Sequence, residues 1–133
     1  MNDKNISGLS LQRERMRFIH GELHPIQNGK ELKQRFKELP VMLRTNGLAT
    51  VSAQLAAGES RDGIIAEMLA RWILEKTPIF NKPTEQTGSG KAKTRLINRC
   101  MAATISEYEL MQMEALAFLE QAKLMAAALW PKE

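Results

Sequence analysis

The stretch KELKQRFKELPVMLRTNGLATVSAQLAAG, residues 30–58, decides how the rest of the chain is read. Its apolar residues fall at Leu32, Phe36, Leu39 and Leu43, then at Leu48, Val51 and Leu55. Steps of three and four put them on one buried helix face. The pattern predicts one interruption near Pro40, where a ladder donor is missing, and another at Asn46-Gly47, which tolerates left-handed backbone. Lys30, Lys33, Arg35, Lys37 and Arg44 crowd the same stretch, so it reads both as core and as an anion-facing surface.

Upstream, residues 7–21 have helical propensity, with Leu9, Arg13, Met16 and His20 on one stripe and Leu11, Arg15 and Phe18 beside it. Gly21 and Pro25 are expected to close that helix. Downstream, Ser60 is placed as an N-cap and Asp62 in the first turn of the next helix. There Ile64, Met68 and Trp72 form one row and Ile65, Leu69 and Ile73 a second, predicting a wide buried face that ends at Thr77-Pro78. Residues 81–91, NKPTEQTGSGK, lack periodicity and read as a mobile surface loop.

Helical register resumes at Lys91 through Leu96, Cys100 and Ala103. Thr104 precedes Glu107 by three, and Ser106 precedes Glu109 by three, so a fresh helix start is predicted near 104–106. The last helix carries Met111, Ala115, Phe118, Ala122, Met125 and Leu129 on one stripe, with Pro131 beyond it. The sum is all-α: one domain over residues 1–133, a small bundle of five to six helices.

Composition agrees. With 133 residues, 44% apolar and 26% charged, the chain suits one soluble globular domain, and with only 5% aromatic residues it favours helix over sheet. Cys100 is the one cysteine, which excludes an intramolecular disulfide and a thiolate metal cluster. The start is polar, without the apolar core of a signal peptide, and no run approaches a membrane span; the cytoplasm is the expected compartment. Net charge is +4, unevenly spread: residues 91–105 hold four Lys/Arg and no acid, while 106–133 hold two against five acids. That asymmetry suits a polyanion on one side and a protein neighbour on another.

Catalytic chemistry finds no constellation. Gly88-Ser-Gly-Lys91 would need Gly at 85 and Ser or Thr at 92 to be a phosphate-binding loop, but the chain has Glu85 and Ala92. His20 and His24 have a metal-compatible spacing, but Gly21 and Pro25 argue against one helix through both, and no third ligand is near. No cofactor or metal site is expected, and an enzyme depending on these histidines is disfavoured. Lys91, Arg95 and Arg99 step by four and predict a ridge suited to a phosphate backbone. Tyr108 is expected to pack rather than to stack on a base.

Residues 39–48, LPVMLRTNGL, resemble the L-P-x-[ML]-[IL]-x-x-N-G-L segment of the small subunit of type III-B CRISPR (Cmr) effector complexes. Glu107-Tyr108 and then Glu114-Ala-Leu-Ala-Phe-Leu119, Lys123 and Ala126 are similar to the same family's E-A-L-x-[FY]-L-x-W-L-K-R-F-A. Gln121 stands at the Trp position and Leu124 at the Arg position, so only Lys123 carries over as a basic contact. The resemblance implies a non-catalytic subunit of an RNA-guided ribonucleoprotein in antiviral defence. Its expected partners are guide RNA and target RNA, other copies of itself, and the large and backbone subunits of the Cmr complex.

Under this reading Arg44, Lys91, Arg95, Arg99 and Lys123 help hold the duplex, mainly its target strand. Pro40 and Asn46-Gly47 are expected to shape a stacking surface between copies. A second reading stays open: a helical adaptor whose basic face binds an acidic protein.

Overall fold

Gly47 is where the central stretch turns. Its backbone sits at φ 88°, ψ 161°, a region essentially confined to glycine, and it joins α2 (Lys30–Asn46) to α3 (Leu48–Ala57). The computed structural model describes residues 8–77 and 90–131, and around this joint it places α1 (Gly8–Leu23), α4 (Arg61–Arg71), α5 (Ala92–Ala102) and α6 (Ile105–Leu129). No strand occurs among the described residues. The chain is an all-α single-domain bundle, with α6 packed along α2 and α1, and α3, α4 and α5 packed on one another. Most of the surface loop expected at 81–91 lies outside the described residues.

The apolar positions read from residues 30–58 are all buried: Leu32, Phe36, Leu39, Leu43, Leu48, Val51 and Leu55. The interruption expected near Pro40 is absent, since α2 runs through it with the proline itself buried. Proline removes one ladder bond, but packing on both sides holds the helix together.

The Asn46-Gly47 turn leaves helix ends needing partners, and α6 supplies them. Leu48 N–H donates to the Gln112 side-chain oxygen at 2.8 Å and Ala49 N–H to the Tyr108 hydroxyl at 2.9 Å. The Gln112 amide in turn donates to the Leu43 carbonyl at 3.3 Å. Two side chains of one helix therefore satisfy both ends of the joint.

α6 starts as predicted. Thr104 Oγ1 accepts from Glu107 N–H at 3.1 Å, and the Glu107 carboxylate accepts from Thr104 N–H at 3.0 Å, a reciprocal cap. The far end closes through Trp130, whose ring lies over Gly29, whose indole N–H donates to the Ile26 carbonyl at 3.3 Å, and whose carbonyl accepts from Lys33 at 2.7 Å. A Cβ at position 29 would come within 2.2 Å of that ring, so only glycine fits.

Other expectations shift. Ser60 precedes α4 but makes no side-chain cap and has φ 54°. Ile64 is exposed, because the first turn of α4 lies beyond the core. α4 extends through a wider π turn, Trp72–Lys76, closed by Thr77 N–H to the Trp72 carbonyl at 2.8 Å. α1 passes through Gly21 to Leu23 and buries the Leu11–Arg15–Phe18 side plus Ile19 and Leu23, while Leu9 is 78% exposed.

Arg15 is the unexpected member of that buried side. Its guanidinium donates to both Glu114 oxygens at 2.6 and 3.0 Å and to the Gln121 side-chain oxygen. The Trp72 indole N–H reaches the same Glu114 carboxylate at 2.8 Å, and the Gln121 amide reaches the Gln12 carbonyl at 3.2 Å. Phe18, Trp72 and Phe118 close around the network with ring centroids 5.5–6.2 Å apart.

Two substitutions test this account. Gly47→Ala forces a side chain into glycine-only backbone and is expected to lower unfolding free energy by about 1–3 kcal/mol, read by urea denaturation. Glu114→Ala strands the buried Arg15 charge, and a loss of about 3–5 kcal/mol is expected in the same measurement.

Candidate nucleic-acid interface

Arginines and lysines divide by role. Every described arginine except Arg13 lies within ion-pair distance of a carboxylate. Lys30, Lys37, Lys76, Lys91 and Lys123 are exposed and make no ion pair among the described residues, while Lys33 and Lys93 donate to backbone carbonyls. A planar guanidinium suits fixed, two-pronged contact with a carboxylate, whereas an ammonium is a compact charge on a flexible stem. Among the described residues the free positive charge is mostly lysine.

The α5 cluster shows the division most clearly. Lys91, at the N-cap, is exposed and unpaired. Lys93 donates to the Ala56 carbonyl at 3.2 Å, closing the end of α3. Arg95 meets Glu75 at 2.5 Å, and its buried Nε finds no acceptor among the described residues. Arg99 is 5% exposed and lies 3.5 Å from Glu107, so it ties α5 to the capped start of α6. The ridge expected from the four-residue spacing is therefore uneven, open at Lys91 and covered at Arg99. Burial of Arg99 follows from its place beside Leu96 and Cys100 on the inner face, which a spacing of like charges does not reveal.

Arg44 and Lys123 come together elsewhere. Arg44 is exposed near the end of α2 and pairs with Glu120 of α6, and Lys123 follows one turn later on α6. α5 packs against α3, α4 and the π turn, not against this flank. The five predicted residues thus form two groups, Arg44 with Lys123 and Lys91 with Arg95 and Arg99.

Sequence reasoning missed the anchoring partners. Glu67 accepts from the Ala92 and Lys93 N–H groups at 3.2 Å each, capping α5 from α4 with negative charge at its positive end. The hydrogen bonds that Arg71 donates to the Glu22 carboxylate raise the Arg71 pKa and join α1 to α4. For Arg35 burial works against the charge, but hydrogen bonds and charge from Glu38 and Asp62 outweigh it and the pKa rises. Apart from Arg35 and Glu38, three residues apart on α2, these partners are distant in sequence, and no local signal marks them.

Other candidate chemistry is limited. His20 and His24 stack with ring centroids 5.0 Å apart, and His24 N–H donates to the His20 carbonyl at 2.8 Å, so helical register does continue through Gly21. No group of three His, Cys, Asp or Glu side chains that could hold a metal ion occurs among the described residues. Cys100 is buried, and desolvation raises its pKa to about 11 despite the opposing charge of Arg99.

With this geometry in place, comparison with known families is informative. The family described as CRISPR-associated protein (Cas_Cmr5) matches residues 11–129. The chain belongs to this family. Cas_Cmr5 proteins are the small subunits of type III-B systems, so the resemblance carried by residues 39–48 and the last helix is correct. The match spans every described helix apart from the first residues of α1. No curated protein and no solved structure matches significantly. No helix among the described residues is long and apolar enough to cross a membrane.

The raised Cys100 pKa sets its reactivity. With the thiol near 11 rather than 9.0, the thiolate fraction at pH 8 falls about 100-fold. Alkylation of the folded chain by iodoacetamide is expected to be slower by at least that factor than in urea, followed by mass spectrometry.

Proposed function

We propose that this protein is the non-catalytic small subunit of a type III-B Cmr ribonucleoprotein, acting in antiviral defence in the cytoplasm. It stacks beside copies of itself and the large and backbone subunits, and it helps hold the guide RNA–target RNA duplex, mainly through the target strand. The observation carrying this reading is the family match across residues 11–129. Two features support it. Unpaired lysines leave positive charge available for phosphates. Met101, Ile105 and Met113 are exposed apolar side chains, and Ile105 and Met113 border a shallow depression of about 720 Å³ with Thr45, Asn46 and Gly47, a surface suited to a neighbouring subunit.

Within this reading Lys91 and Lys123 meet phosphates directly. Arg44 and Arg95 contribute from their exposed, carboxylate-paired positions, and Arg99 acts indirectly by fixing the α5–α6 corner. Phosphate contacts of this kind strengthen binding without reading sequence.

The test is target-RNA affinity of the reconstituted complex across a salt series. Lys91→Glu with Lys123→Glu is expected to weaken binding equally for all target sequences and to flatten the log–log salt slope by about 0.7 per lost contact. An unchanged slope removes these lysines from the interface. Association with an acidic protein that survives nuclease and lacks guide RNA would instead favour the adaptor reading.

A further inference from the structure

The N-terminal half of α2 carries charge that the family-derived residues leave unused. Lys30, Lys33, Gln34 and Lys37 line one side of a groove of about 300 Å³, Arg61 at the start of α4 lines another, and Glu31 is the one acid in its wall. No apolar side chain lines it. Lys30 and Lys37 are exposed and unpaired. Lys33 donates to the Trp130 carbonyl, and Arg61 shares Asp62 with Arg35.

The lysine row that lines the groove extends along α2 toward Arg44. At 100° per residue, Lys30, Lys33, Lys37 and Arg44 fall within about 60° of one another around α2. Two contacts fix which way that row faces: Lys33 reaches the end of α6 and Arg44 reaches Glu120 of α6. Because α2 and α6 touch at both places, Lys37 lies between them, close to the level of Lys123. From Lys30 to Arg44 the row extends about 21 Å at 1.5 Å per residue.

We infer that this row and groove form a second phosphodiester-binding track, running along the α2–α6 seam from Arg61 and Lys30 to Arg44 and Lys123. The occupant is an RNA backbone. Protein interfaces are depleted in lysine and are anchored by buried apolar or aromatic side chains, and this groove has three lysines and no such anchor. Ammonium groups on flexible stems suit a backbone of repeating charges whose bases are not read. The track rests on the RNA-binding reading above and names a groove whose lining does not include Lys91.

The experiment uses the reconstituted complex with the full chain and single-stranded target RNA. Lys30→Gln with Lys37→Gln changes exposed side chains only, and circular dichroism checks that the helices persist. The expected result is a log–log salt slope flattened by about 0.7 for each lysine, together with RNA-dependent protection of Lys30 and Lys37, but not Lys76, from acetylation in the unsubstituted complex. A parallel complex carries Lys91→Gln with Lys123→Gln. Flattening in that complex alone, or no RNA protection at Lys30 and Lys37, overturns the α2 track and leaves the subunit reading intact. Unchanged slopes in both complexes overturn both. Protection of Lys30 and Lys37 by assembly without RNA assigns the groove to a protein neighbour and also overturns the track.

Discussion

The buried pair of Arg15 and Glu114 constrains more of this molecule than any other contact. Both side chains are nearly excluded from water, so each charge depends on the other and on neutral groups that fill the remaining hydrogen bonds. Trp72 and Gln121 do that. The network thereby ties α1, the end of α4 and the middle of α6 into one arrangement. A hydrophobic substitute could equal its stability, but not its directionality, since four polar groups are satisfied together in this packing and stranded in others. Gln121 also gives a physical meaning to one departure from the family pattern. Where that pattern has Trp, this chain places an amide that bridges Arg15 and the α1 backbone.

α6 then organises the rest. Its Tyr108 and Gln112 complete the helix ends at Gly47, its Glu107 closes its own first turn and receives Arg99, and its Trp130 packs on Gly29. Basic residues divide around this framework. Guanidinium groups are mostly held by carboxylates and connect helices, whereas ammonium groups mostly remain in solvent. A surface that must contact a polyanion without fixing its register is well served by that division, because the structural charges are neutralised internally and the free ones are flexible.

Much of the fold was legible. The three- and four-residue steps in residues 30–58 named the buried residues of α2 and α3, and Thr104 with Glu107 marked the start of α6, because both signals depend on short-range geometry. Asn46-Gly47 marked the joint for the same reason. Pro40 misled, since its local tendency to interrupt a helix was overruled by packing along the whole of α2. Ser60 had the residue type of a cap but not the backbone geometry. The candidate interface was less legible. Spacing put Arg99 on a ridge, whereas burial beside Cys100 and a partner on α6 turned it to structural use.

The sequence by itself determined the helices, most of their boundaries, the apolar faces they bury and the family to which the chain belongs. Each of these follows from residues within about two turns of one another, or from motifs whose order along the chain is sufficient. Only the tertiary structure decided which charges are free. An arginine and its carboxylate can be a hundred residues apart, as Arg15 and Glu114 nearly are, and their pairing depends on which helices pack and through which face. Electrostatic availability is a property of neighbours in space. For that reason Lys30, Lys37, Lys91 and Lys123, named in the sequence alongside the arginines, separate from them only once the bundle is assembled.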